Sequence, residues 1–263
     1  GDRRESFYAE DYAQWDRIWI NEGSRDNVIN NAVITNAAIG LQVSMLSEFL
    51  PNKTIVNNTI IQNNKTVGVL ARGANLEMNN CQVSNNGDYS MLLQVGSFKL
   101  NQVTVANYFT QSARKNEAVV VQNYYTTTQT NASGQAEYVN MIGDADIVCN
   151  NSIIYGDQDN EFTVSKNSAA NLNYTFNNCI IKRESLSSHF VNCLRNQDPL
   201  FISNYGQNYN IKSTSPAIDA GMTGLGLTTD LLGRARNGIP DIGAYEYYPA
   251  TTDKRLVFFK IRH

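Results

Sequence analysis

Asp157, Asp159 and Glu161 alternate along one short stretch, and acidic side chains at every second residue of an extended chain aim their oxygens the same way. Such a set suits a hard cation such as calcium, and it equally suits a solvated acidic turn. Asp144 and Asp146 stand slightly earlier and could oppose Asp157 and Asp159 as a glycosidase acid pair, which needs two carboxyls roughly 5 to 9.5 Å apart across the bond. Arg72 is the one cation in a set of polar residues, Gln42, Arg72, Gln94, Gln122, Ser165 and Asn192, expected to align from one repeat to the next on an exposed sheet face. It is therefore the sole floor candidate for the base of a uronate lyase, and otherwise a solvated arginine. Tyr108, Phe109, Arg114, Lys115, Tyr124, Tyr125 and Tyr138 fall in two insertions. There, aromatic faces can stack on sugar rings while Arg or Lys meets a carboxylate or sulfate, or the rings can simply anchor the loops to the body. Glycan contacts are expected of Arg72, Gln94, Gln122, Tyr124, Tyr125, Arg114 and Lys115. Calcium is the one cofactor left open.

Other chemistries find no support. His189 sits on a late strand and His263 at the end, with no triad, zinc spacing or phosphate loop around either. Gly224-Leu-Gly226 lacks the third glycine and the strand–turn–helix setting of a dinucleotide site. The 263-residue chain has a net charge of -3 and its 21 Lys and Arg residues are scattered, which excludes a nucleic-acid footprint. Its longest apolar runs fall far short of the roughly 20 residues a transmembrane helix needs.

The elements that must position these residues follow from a repeat. Asn30, Asn57, Asn79, Asn101, Asn150 and Asn177 each come one step after an apolar residue, at intervals of 27, 22, 22, 49 and 27. A unit of about 22 residues with insertions is the mark of a solenoid. Within each unit the segments are short, alternating and rich in Val, Ile, Leu and Thr, as in GVLARG, LEMNN and CQVSNN, so they are strands rather than helices, three per turn. A second column, Asn36, Asn63, Asn85 and Asn107, closes the third strand of each turn. At such bends Asn accepts left-handed dihedrals, and stacked amides donate from one coil to the next. Cys81 and Cys179 share a column with Ala32 and Thr59, and Cys149 shares one with Val56 and Leu100, which makes them small core side chains rather than disulfide partners. The 49-residue interval holds both insertions, residues 107–116 and 123–144, on either side of the strand Glu117-Ala-Val-Val-Val-Gln122. Loops grow there without disturbing a core, so they mark the candidate site.

The Asn-rich repeat, from Asn27 to Leu194, resembles the right-handed parallel β-helix of pectate-lyase-like proteins. Asp198-Pro-Leu-Phe201, the run from Tyr209 to Gly221, Asp230-Leu-Leu-Gly-Arg-Ala-Arg236 and Pro240-Asp-Ile-Gly-Ala-Tyr-Glu246 resemble the closing segment of bacterial surface β-helix proteins, Bacteroides-type ones with a choice-of-anchor C-terminal region. The resemblance implies an all-β fold of about 22 residues per coil with asparagine ladders and a C-terminal cap. It also implies a periplasmic, cell-surface or secreted location, with polysaccharide binding along a concave sheet as the leading function. A lyase or hydrolase acting in the same groove and a structural spacer remain as alternatives.

One domain over 1–263 is expected: 1–26 lead into the first clear coil, 27–194 form regular coils, 195–250 close the solenoid and 251–263 add a tail strand. Ile218, Leu231, Ile242 and Tyr245 are expected to cover the last open coil. No amphipathic helix of the kind that normally covers a first coil precedes Trp15, so the chain reads as part of a longer β-helix.

Overall fold

Three parallel faces wrap one core. In the computed structural model, which describes residues 11–44, 53–185 and 187–249, the chain turns repeatedly through a first, a second and a third strand. The first face stacks Ile18–Ile20, Ile39–Ser44, 67–72, 89–94, Val119–Gln122 and Phe162–Ser165. The second stacks Asn27–Asn30, Lys53–Asn57, 74–79, 96–101, Ala145–Asn150, Leu172–Asn177 and Phe190–Val191. The third runs from Val33–Thr35 through Ile60–Gln62, Gln82–Ser84, Thr104–Asn107, Ile153–Gly156 and Ile180–Ile181 to Leu194–Arg195. Trp15 bridges Ala37 and Ile18–Ile20 pairs with 41–43, so the chain before residue 27 already forms part of a coil.

Alternation dictates the core. Leu41, Val69, Met91, Val119 and Phe162 stack inward on the first face, and Val56, Met78, Leu100, Cys149 and Phe176 on the second. All four cysteines are free thiols. Cys81 and Cys179 bond the carbonyls of Asn79 and Asn177, the same contact Thr59 makes to Asn57 and Ser152 to Asn150. A small donor satisfying the bend is what this column requires.

The first asparagine column is an unbroken ladder: Asn57, Asn79, Asn101, Asn150 and Asn177 each donate from Nδ2 to the Oδ1 of the preceding member, at 2.8 to 2.9 Å. The 49-residue interval leaves it intact. Left-handed dihedrals fall one residue later, on Asn31, Asn58, Asn80, Asn151 and Asn178, and in the second column on Asn36, Asn63 and Asn85. Asn107 has no such dihedral and instead links coils through the backbone of Asn86.

The closing segment departs from expectation. It lies along the third face rather than over the last coil. Ile153 and Ile180 point outward there and are fully covered, packed with Phe201, Tyr209, Ile211, Ile242 and Tyr245, while Ile218 and Leu231 pack against the same cluster. The Tyr209 hydroxyl reaches Asn85, the Tyr245 hydroxyl reaches Gln82, and Ala244 N donates to the Thr104 hydroxyl. A strand that is apolar on both faces must be buried on both, and that requirement outweighs the open end. Aromatic rings fill the last coils instead: Phe176 and Phe190 stack at 5.1 Å, Phe162 meets Phe176 edge-on at 4.6 Å, and the Arg183 guanidinium lies over Phe162 and Phe190. The expected tail strand, 251–263, and Gly1 to Glu5 lie outside the described residues.

Candidate functional site

Parallel pairing puts Ser44, Arg72, Gln94, Gln122 and Ser165 in one file across the outer side of the first face, each a strand spacing of about 4.8 Å from the next. Gln42, expected opposite Arg72, pairs with Leu70 two residues away, and Asn192 lies beyond the second-face strand Phe190–Val191. Arg72 Nε donates to Gln94 Oε1 at 2.8 Å and Gln94 Nε2 to Gln122 Oε1 at 2.5 Å. Amide side chains carry both a donor and an acceptor, so a file of them can pass the direction of donation from coil to coil. Gln94 is only 6% exposed, while Arg72, Gln122 and Ser165 are half-buried and keep part of their surface open.

A wall stands over it. The second insertion is an antiparallel hairpin, Tyr124–Thr130 paired with Ala136–Ile142. At its root Tyr125 is buried with the Arg72 guanidinium 5.5 Å from its ring, and the Tyr124 hydroxyl meets Ser165 Oγ at 2.7 Å. Tyr138 projects from the hairpin, 86% exposed. The bend that carries the chain from this face to the second uses Gly73 in one coil and Val95 in the next, both at positive φ. For a β-branched residue that conformation is strained, and here it adjoins Gln94.

The adjacent coil adds a second cation that the sequence reading passed over. Trp19 pairs with Gln42 and is 53% exposed; Arg17 lies 5.8 Å from its ring, chelates Asp16 and donates from Nη1 to Gln42 Oε1. Desolvation lowers the Arg72 pKa, partly countered by Tyr125 and helped by the charge of Arg17. Arg72 remains a cation near neutrality because its ordinary pKa lies so high.

The acidic candidates are distributed over separate parts of the coil. Asp146 lies on the second face, where it accepts from Asn173, and Asp144 accepts from the backbone of Asn171 at the corner leading there. Glu161 is fully buried: its carboxylate accepts from Arg114 Nη1 and Nη2 at 2.7 and 2.5 Å and from the amides of Ala118 and Gln158. Asp157 also accepts from Arg114, while Asp159 is exposed. The three acids therefore do not converge on an ion. Among the described residues no group of three or more His, Cys, Asp or Glu side chains forms a metal site. Arg114 supplies the positive charge opposite Glu161 and Asp157.

That corrects the first insertion too. Arg114 is an interior residue, also bonded to the carbonyls of Asn107 and Asn116. Burial alone would lower its pKa, but the bonds and charge of Glu161, then of Asp157, hold it above the ordinary value. Burial pushes Glu161 up against the pull of Arg114 and the two amides. Tyr108 packs against Tyr209 of the closing segment, and Phe109 against Tyr12. Lys115 alone of this group is exposed. The first insertion anchors, and the second walls the first face.

No helix among the described residues is long and apolar enough to cross a membrane. No curated protein matches the chain. A family model described as a right handed beta helix region matches residues 5–109, the part that holds the first-face strands carrying Arg72 and Gln94. The chain is accordingly an all-β, right-handed parallel β-helix.

Proposed function

We propose that this protein binds an acidic polysaccharide along its first face, as an exported or cell-surface β-helix that holds sugar without cleaving it. The observation that carries the reading is the file Arg72–Gln94–Gln122, a cation continued by side-chain amides at the spacing of the coils, beneath Tyr124 and Tyr125. A guanidinium is suited to a uronate carboxylate or sulfate, amides to hydroxyls, and exposed Trp19 to a sugar face. The acids that hydrolysis would need stand elsewhere, on the second face and in the ion pair of Arg114. Export follows from the resemblance of the closing segment.

Calorimetric titration with a polyuronate, a sulfated polysaccharide and a neutral glucan tests this. Arg72→Ala is expected to weaken binding of the acidic chains about tenfold or more, as loss of one charge-assisted hydrogen bond would, and to leave any neutral binding unchanged. Silence toward every one of the three would favour a structural spacer. Release of shortened or unsaturated products would assign a lyase or hydrolase.

A further inference from the structure

Beside the asparagine ladder, at the corner between the second and third faces, lies a cleft of about 390 Å³ bounded by the asparagine pairs 30–31, 57–58 and 79–80 on three successive coils and by Gly226 to Thr229 on the closing segment. That volume falls within the range of small-ligand sites. We propose that this cleft is a second binding site, one that takes a neutral, hydroxyl-rich sugar unit. The proposal does not rest on the first-face reading.

Its basis is a difference within one column. Asn31, Asn58, Asn80, Asn151 and Asn178 all follow the ladder residue and all adopt left-handed dihedrals. In the later coils each side chain is occupied by the closing segment: Asn80 Nδ2 donates to Thr229 O at 2.8 Å, Asn178 Nδ2 to Ala220 O at 3.0 Å, and Asn151 exchanges bonds with Met222 O and N. The segment does not engage the two earlier members in this way. Among the described residues, the side-chain nitrogens of Asn31 and Asn58 have no hydrogen-bond partner, and neither has that of Asn30, the first rung, which serves the ladder only through Oδ1. Three amide donors thus line one cleft without a protein acceptor.

Charge selects the ligand class. None of the lining residues is ionisable, so a carboxylate or phosphate would lose its hydration with no cation to replace it. Hydroxyl groups of a sugar ring accept from amide nitrogens and donate to amide oxygens, and Thr228 adds a hydroxyl on the opposite wall.

The test is a side-chain amide NMR titration with three neutral probes, methyl α-glucoside, methyl α-mannoside and methyl β-galactoside. At least one is expected to shift the Asn30, Asn31 and Asn58 side-chain amides saturably, with a Kd on the order of 1 mM. The double variant Asn31→Gly/Asn58→Gly keeps the left-handed backbone at no steric cost while removing two donors, and should weaken that response about tenfold or more. Thr228→Val, a near-isosteric change at an exposed position, should weaken it independently, while Arg72→Ala should leave it unchanged. No shift at these amides with any of the three sugars, or an undiminished response in both cleft variants, overturns the proposal.

Discussion

Arg114→Ala should lower the unfolding free energy by about 3 to 5 kcal/mol at neutral pH, the loss expected when one partner of a buried ion pair is removed and the other is left behind. The group left behind is Glu161, fully enclosed, retaining only the Ala118 and Gln158 amides as partners. Its folded pKa is already above the ordinary value through burial, against the attraction of Arg114, and losing that attraction raises it further. A carboxyl with a raised folded pKa contributes full stability below its unfolded pKa and loses it as pH rises through the folded one. The deficit of the variant should therefore be full at neutral pH and shrink toward about pH 4, where Glu161 folds as a neutral acid. Denaturant midpoints of both proteins at the two pH values measure this. A deficit below about 1 kcal/mol at neutral pH, or one that grows on acidification, would contradict the buried pair.

Asn101→Ala should cost about 2 to 4 kcal/mol, because it orphans two buried partners at once. Asn101 donates to Asn79 Oδ1 and accepts from Asn150 Nδ2, and it joins the regular coils to the coil beyond the hairpin. Asn30→Ala, at the exposed start of the same ladder, removes one acceptor that water can replace and should cost less than about 1 kcal/mol. Equal losses in the two variants, read from the same denaturant curves, would mean that the amides act singly rather than as a file.

The ladder was legible in the sequence because identical amides are self-complementary when stacked, so the same residue recurs at every coil whatever is inserted between. The first-face file was legible only in part. Gln42 and Ser44 both point outward, and a two-residue slip keeps every side chain on its own face, so alternation alone could not choose between them; the pairing shows Ser44 opposite Arg72. Arg17 and Trp19 were read only as part of the strands entering the first clear coil, and not as site residues, because they precede that coil.

Arg114 and Glu161 lie 47 residues apart, and an ion pair inside a protein is written with the same letters as two solvated charges. Charged residues in an insertion were read as exposed, and burial reversed their role. The flank position of the closing segment did have a signal. Ile153-Ile154 and Ile180-Ile181 place an apolar side chain on both faces of one strand, which only a doubly covered strand tolerates.

The first-face reading depends on Arg72, Gln94 and Gln122 forming one surface that sugar can touch. The most direct measurement follows their side-chain resonances, Arg72 Nε and the two Gln amides, while an acidic oligouronide is added. Saturable shifts at all three, with second-face Asn75 and Asn173 unmoved, are the predicted result. Binding that shifts Asn75 and Asn173 and leaves Arg72, Gln94 and Gln122 unchanged would contradict it.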